Sequence, residues 1–318
     1  MRFSVIIPVY NKEPYVEKAI RSVLTQTFTD YELIVVNDGS KDGSLAVVES
    51  VLSDVPSAVV INQSNAGVST ARNNGVTASK GDYICFLDAD DWWQPTFLED
   101  MSQLITDFPE AGIYGTGYII INERKHKTGV ANIGVEQSFE KGYINYCRVY
   151  AKTLCMPLTS ITVAIPRSVF MEMDGFKSNL KLGEDFDLWI RIALKYKVAY
   201  LNEPLSNYNQ DVDAKNRGIG HLHNPESHML WNLDYLEPLE KTDADYKQLI
   251  DNLRTYGLLP YYISRKYHTQ AKAQLDKVDW SRQPKHWDRL YSMPVWYLRT
   301  RQCFMRAASK VKTFIKSI

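Results

Sequence analysis

Apolar residues occur as short, nearly unbroken runs in the first third of the chain, at residues 3–9, 31–36, 58–61 and 83–87. Runs of this length, rich in Val and Ile and bounded by Pro, Gly, Asn or Asp, predict strands buried on both faces. Between them the spacing changes to that of a helix. Ala19, Ile20, Val23 and Leu24 share one face of a helix predicted over 13–25. A second helix is expected over 44–52 with Asp42 as its N-cap, and a third over 68–78, stopped by Lys80-Gly81. The second strand is stopped by Asn37-Asp38-Gly39-Ser40, and the fourth runs directly into Asp88-Ala89-Asp90-Asp91. Strand and helix alternating across short turns predict an α/β fold, with a doubly wound, mostly parallel sheet and helices on both faces.

Beyond Trp92-Trp93-Gln94-Pro95 the pattern is looser. It supports a helix over 97–108, a strand over 112–121, an irregular stretch to about 138 and a helix over 143–152. A strand over 161–165 and a helix over 167–173 follow. The helix over 184–196 is sharply amphipathic, with Leu188, Trp189, Ile192 and Ala193 on one face. A last strand is expected over 198–201, with Pro204 marking the end of the compact unit. From Pro225 onward only helices are predicted, interrupted at Gly257-Leu258-Leu259-Pro260. The expected organisation is a main domain over 1–210, followed by a linker and helical region over 211–318.

Composition narrows the function classes. The 318 residues are 45% hydrophobic and 23% charged, and 37 basic residues balance 37 acidic ones. This neutrality gives no footprint for nucleic acid. Cys85, Cys147, Cys155 and Cys303 form no CxxC pair, which fits a reducing compartment. Met1-Arg2 leads straight into a strand without a signal-peptide pattern, and no run of about eighteen apolar residues suggests a membrane span. The expectation is a cytoplasmic protein.

The chemistry centres on the carboxylates that end the fourth strand. Open α/β sheets bind ligands beyond the carboxyl ends of their strands. Acids this close repel one another unless a cation lies between them, and oxygen ligands favour Mg²⁺ or Mn²⁺. The same residues could simply form a turn that caps the next helix. A dinucleotide-binding reading fails, because Pro8-Val9-Tyr10-Asn11-Lys12-Glu13-Pro14 after the first strand has no glycine with which to cradle a pyrophosphate. No P-loop occurs either. A metal held by acids is the other way for such a sheet to bind a diphosphate.

Five motifs, in order, resemble those of family-2 glycosyltransferases of the GT-A fold. They are Val5-Ile-Ile-Pro-Val-Tyr-Asn11, Val35-Val-Asn-Asp-Gly-Ser-Lys-Asp-Gly-Ser44, Asn65-Ala-Gly-Val-Ser-Thr-Ala-Arg-Asn-Asn-Gly75, Phe86-Leu-Asp-Ala-Asp-Asp91, and Gly175-Phe176 with Gly183-Glu-Asp-Phe-Asp-Leu-Trp-Ile-Arg191. The similarity covers about residues 3–208. It implies inverting transfer of a sugar from a nucleotide-diphosphate donor, a UDP-sugar above all, to a glycan or lipid-linked acceptor, in polysaccharide or glycolipid synthesis.

The resemblance also implies roles. Pro8, Val9, Tyr10 and Glu13 line the nucleoside pocket, with Glu13 equally readable as a solvated helix-start residue. Asp38 accepts from the pyrimidine, and Arg72 lies over the base and near the phosphates, with Asn73 helping to hold the loop. Asp88-Ala89-Asp90 matches the DxD motif, with Asp88 towards ribose and, through water, the metal, and Asp90 on the ion. Asp91 caps the next helix or touches the sugar. Asp185 is the general base, kept ionised by its helix N-terminus and supported by Glu184, while Asp187 is structural. Trp92 and Trp93 either line the sugar site or pack inside; Trp189 is core.

One departure concerns the metal. Where many relatives have Tyr-Arg-x-His, this chain has Tyr208-Asn-Gln-Asp211. Asp211, His221 or His223 could complete the coordination, or no third protein ligand exists. Residues 289–318 hold seven Lys or Arg and no acid, with Phe304, Ala307, Ala308, Val311, Ile315 and Ile318 on one helical face. That pattern suits either peripheral membrane contact or docking on protein. Two rival functions remain: a catalytically degenerate nucleotide- or glycan-binding module, and a sugar nucleotidyltransferase, whose Gly- and Arg/Lys-rich first loop is missing here.

Overall fold

The computed structural model describes residues 2–122, 124, 127–212 and 222–301, which form two compact units, residues 1–232 and 233–318. The first begins with β1 (Phe3–Val9), α1 (Val16–Leu24), β2 (Tyr31–Asn37), α2 (Ser44–Leu52), β3 (Val59–Asn62), α3 (Val68–Ala78) and β4 (Tyr83–Phe86). β1 is buried at every position, as its unbroken apolar run requires. It pairs in parallel with both β2 and β4, and β2 pairs in parallel with β3. Helix α3 lies close on this sheet because Gly75 has no side chain; a Cβ there would come within 2.5 Å of Ile6 Cγ2.

The remainder of the unit contains β5 (Trp92–Trp93), α4 (Phe97–Asp107), β6 (Ala111–Ile121), β7 (Gly129–Val130), β8 (Lys141–Ile144), α5 (Tyr146–Thr153), β9 (Val163–Pro166), α6 (Arg167–Glu172), α7 (Glu184–Ala193) and β10 (Lys197–Asn209). The sheet order is β3-β2-β1-β4-β9-β6-β10-β5, with β7 on β6 and β8 on β10. The α/β, mostly parallel sheet is as expected. β9 runs antiparallel between β4 and β6, and so joins the parallel half to the rest.

The later elements differ from expectation in instructive ways. The last strand does not stop at Leu201 but continues to Asn209, paired with β6 through shifts of register on either side of Pro204. Proline cannot donate to a ladder, so the strand tolerates it where the pairing is already irregular. The span expected to be one helix over 143–152 is instead a strand, β8, followed by α5, whose N-cap Asn145 accepts from Arg148 N–H. The compact unit runs on to Asn232 rather than ending at 210. There Lys181 N–H donates to Ser227 O at 2.8 Å and Met229 N–H to Leu182 O at 3.1 Å, tying the later segment to the turn before α7.

The second unit is helical, with α8 (Ala244–Gly257), α9 (Leu259–Ile263), α10 (His268–Leu275) and α11 (Lys285–Tyr291). Asp243 caps α8 through the N–H groups of Asp245 and Tyr246. The expected break at Gly257–Pro260 separates α8 from α9. Buried Arg254 pairs with Glu240 through both terminal nitrogens, at 2.7 and 2.6 Å. Among the described residues no helix is long and apolar enough to cross a membrane. Residues 302–318, most of the basic amphipathic segment, lie outside the described residues, as does Cys303.

Trp93 is core. It stacks on Phe97 with ring centroids 4.0 Å apart and donates its indole N–H to Ile161 O at 2.7 Å. Trp93→Ala is expected to lower the unfolding free energy by about 3–5 kcal/mol, as buried aromatic truncations do. Urea titration followed by circular dichroism measures this; an unchanged midpoint would return Trp93 to the ligand site.

Candidate active site

The turns beyond β1, β2 and β4, together with the start of α7, supply the candidate residues. The loop after β1 is fixed by its own polar groups. Asn11, in the left-handed region at φ 53°, accepts Lys41 N–H on its side chain and donates its N–H to Ser40 Oγ. Lys12 N–H donates to Ser44 Oγ at 2.8 Å. Glu13 accepts Gly43 N–H at 2.9 Å, so its carboxylate braces the α2 turn. Pro8 and Val9 are buried in β1, while Tyr10 stands 41% exposed beside them.

Asp38, at the end of β2, holds the next loop. Its carboxylate accepts Gln63 Nε2, Ala66 N–H and Gly67 N–H at 2.7, 2.8 and 2.9 Å. This network shapes the entry to α3, which carries Arg72 inward. Arg72 is 3% exposed. Its guanidinium donates to Asp88 Oδ1 at 2.6 Å and Glu184 Oε1 at 3.2 Å, and lies over the Phe176 ring. Burial alone would weaken its hold on the proton, but the two carboxylates keep it firmly charged. Asn73 donates to Phe176 O and accepts Phe176 N–H, fixing the Gly175-Phe176 turn beneath the guanidinium.

The acid cluster divides its work. Ala89 is buried. Asp90 is paired with Lys12 Nζ at 2.6 Å, both side chains being largely buried. Burial, with Asp88 adding, raises the Asp90 pKa against the pull of Lys12. Asp91 is 2% exposed and accepts Asn209 N–H at 2.7 Å, so it clamps the end of β10. It does not cap the next helix: α4 has Thr96 at its N-cap and no side-chain cap bond. Burial and the neighbouring Asp90 and Asp88 raise the Asp91 pKa well above the carboxylate range.

Asp185 lies in the first turn of α7. The helix starts from Gly183, whose φ of +80° favours glycine and whose Cβ, were one present, would clash with Met229. Asp185 Oδ1 accepts Phe186 N–H at 2.7 Å. The helix N-terminus was expected to keep it ionised, as a base working at neutral pH needs. Instead burial, followed by Glu184, raises its pKa to about 7, while Arg72 and the Phe186 N–H oppose the rise. Two acids beside it and little solvent outweigh the dipole. Asp187 is structural as expected, fully buried and paired with Lys177 and Arg191, both at 2.8 Å.

The other candidates have partners of their own. Asp211 accepts Arg124 N–H at 3.3 Å, and His223 acts on His228, whose pKa burial lowers to about 4. His221 lies outside the described residues. Trp92 carries Lys18 Nζ 3.0 Å above its ring. Among the described residues no three His, Cys, Asp or Glu side chains are grouped to hold a metal. Asp88 and Asp90 nevertheless fit a hard divalent ion of the kind that takes one or two carboxylates and completes its shell from substrate phosphates. The acids Asp88, Asp90, Asp91, Glu184 and Asp185 are neutralised only in part by Lys12 and Arg72.

Sequence reasoning missed Lys12, which sits in a motif loop but carries no signal that it reaches Asp90. It also missed Tyr146 and Tyr150, one helical turn apart on α5, whose hydroxyls feel the Asp185 charge. The buried Tyr146 hydroxyl has no hydrogen-bond partner among the described residues.

The family profile described as Glycosyl transferase family 2 matches residues 4–172. The chain is 31% identical over 264 residues to the glycosyltransferase GlyA of Streptococcus pneumoniae, a match covering 79% of this chain but only 37% of that protein. Among solved structures it resembles S. aureus TarS 1-349 in complex with UDP-GlcNAc, with a TM-score of 0.72 and 18% identity, covering 91% and 84% of the two chains. The mannosyltransferase PcManGT from Pyrobaculum calidifontis, solved with GDP-Man and Mn²⁺, follows at a TM-score of 0.51 and 15% identity, covering 87% and 85%. The fold is the GT-A fold that the motifs implied.

Arg72 opposes the rise in the Asp185 pKa. Arg72→Gln should therefore move the Asp185 titration upward from about 7. Carbon-detected NMR of the aspartate carboxyls reads this directly, and a downward shift would refute the electrostatic coupling.

Proposed function

The chain belongs to glycosyltransferase family 2, and on that footing we propose that it transfers a sugar from a UDP-sugar to an acceptor hydroxyl with inversion at the anomeric carbon. The observation that carries the proposal is Asp185, partly buried at the start of α7 with its pKa at about 7 and linked through Glu184 and Arg72 to Asp88. Inversion is a single displacement and needs one base, which works best when its pKa is near the operating pH. Asp185 takes the acceptor's proton, while Glu184 holds Arg72 and keeps the basic oxygen's neighbourhood negative.

The donor side is organised by the three turns. Asp38 Oδ1 and Oδ2 already accept three protein donors. An ionised carboxylate has about four lone-pair positions, which leaves one for the N–H of a pyrimidine. Tyr10, exposed next to buried Val9, supplies a face for the nucleoside. Asp88 faces the ribose, held in place by Arg72. Asp90, with Asp88 through water, would hold Mg²⁺ or Mn²⁺, which as a Lewis acid would stabilise the departing diphosphate. The Mn²⁺ bound by the mannosyltransferase supports this assignment. The acceptor we assign is a glycan or lipid-linked sugar in polysaccharide or glycolipid synthesis. The basic residues of 289–318 would bring the enzyme to an anionic membrane surface.

Released UDP, measured across a panel of UDP-sugars with Mn²⁺ or Mg²⁺, tests the activity. Chelation with EDTA should abolish turnover. The base must be deprotonated, so kcat/KM should rise with pH through about 7 and level off above it. Asp185→Asn should lose this limb and cut kcat by about 10²–10⁴-fold, the range general-base catalysis supplies, with UDP affinity retained. Nucleotide binding without turnover of any donor would make the protein a binding module instead. Separately, a chain ending at residue 288 should co-sediment less with anionic liposomes than the full chain; equal sedimentation would remove the membrane role.

A further inference from the structure

Lys12 occupies a place that no role above accounts for. Its backbone N–H is fixed to Ser44 Oγ at 2.8 Å, and its loop is braced on both sides by Asn11 and Glu13. Its stem therefore starts from a fixed point, and its ammonium meets Asp90 Oδ2 at 2.6 Å. The two side chains are only 15% and 18% exposed, so solvent screens the pair little. Asp90 is the carboxylate assigned to the metal, and a carboxylate oxygen closed by an ammonium at this distance is closed to a metal ion.

We propose that Lys12 is a resident counter-ion that opposes the binding of free metal at Asp90 and makes metal entry depend on the donor. This rests on the assignment of Asp90 to the metal. A metal ion reaching either oxygen of Asp90 meets the ammonium's like charge beside it, so its binding is opposed until the ammonium moves away. A largely buried ammonium needs a replacement anion, and the diphosphate of the nucleotide donor is the anion that arrives at this position. Metal and donor then enter as a pair. The consequence for the chain's chemistry is protective: the acid cluster keeps its charge partly neutralised between turnovers without retaining a metal, and cations without nucleotide meet a carboxylate that already has a counter-ion.

The test is Mn²⁺ binding, read by the loss of the free-ion EPR signal, with and without UDP, for the full chain and for Lys12→Met and Lys12→Arg. Wild type should bind Mn²⁺ weakly alone and more tightly with UDP. Lys12→Met should bind Mn²⁺ without nucleotide roughly tenfold more tightly than wild type, within the usual range of coupling between sites. Lys12→Arg, which keeps the charge, should behave as wild type. Equal or weaker nucleotide-free binding by Lys12→Met, with thermal stability retained, overturns the proposal, as does Lys12→Arg binding as tightly as Lys12→Met. A failure of the underlying metal assignment looks different: Asp90→Asn would then leave the Mn²⁺ affinity of the UDP complex unchanged.

Discussion

The site is built around one buried guanidinium. Arg72 reaches Asp88 beyond β4 and Glu184 at the start of α7, and is 3% exposed while doing so. A buried cation must be paired, and one that pairs with two acids from separate elements fixes their separation as well as their charge. Most of what surrounds it serves that placement. Asp38 shapes the entry to α3, Asn73 fixes the turn that carries Phe176, and Gly183 permits the α7 start. An acid beyond β4 and an acid at the start of α7 are thus held on a common partner.

The rest of the charge arrangement follows from limited solvent. Five acids near two cations would be unremarkable on a surface. Here burial is the leading cause of the raised pKa of Asp90, Asp91 and Asp185. The effect differs by neighbour. Asp91, with a backbone N–H as its partner, serves the fold, and Asp90 is paired with Lys12. Asp185, which accepts the Phe186 N–H, is left with a pKa of about 7, where a small change in its surroundings alters its protonation.

How far the sequence discloses this depends on the range of each interaction. The turns after β1, β2 and β4 are legible because polar turn-forming residues break off apolar runs there, at Asn11, Asp38 and Gly39, and Asp88 to Asp91. Buried parallel strands are legible because both faces are apolar. The full length of β10 is not, since Pro204 argues for a stop and only pairing with β6 carries the strand past it. The antiparallel insertion of β9 is equally hidden, because direction is a property of the sheet rather than of four apolar residues. Within the site, Asp185 and Arg72 could be named from motif resemblance, but their mutual electrostatics could not. The Lys12–Asp90 pair spans 78 residues, and Tyr146 near Asp185 comes from a span that reads as helical but carries no motif.

The clamp between Asp91 and the Asn209 N–H joins residues 118 positions apart, and the Arg72–Glu184 pair spans 112. Contacts this distant in sequence are slow to form, because loop-closure entropy is lost before any contact offsets it. A chain emerging during synthesis therefore presents β1 to β4 and the whole acidic turn long before β10 exists to anchor it. Until β10 closes against β6, the carboxylates lie near one another without the backbone donor that holds Asp91. The clamp on Asp91 can therefore form only after residue 209 has been made.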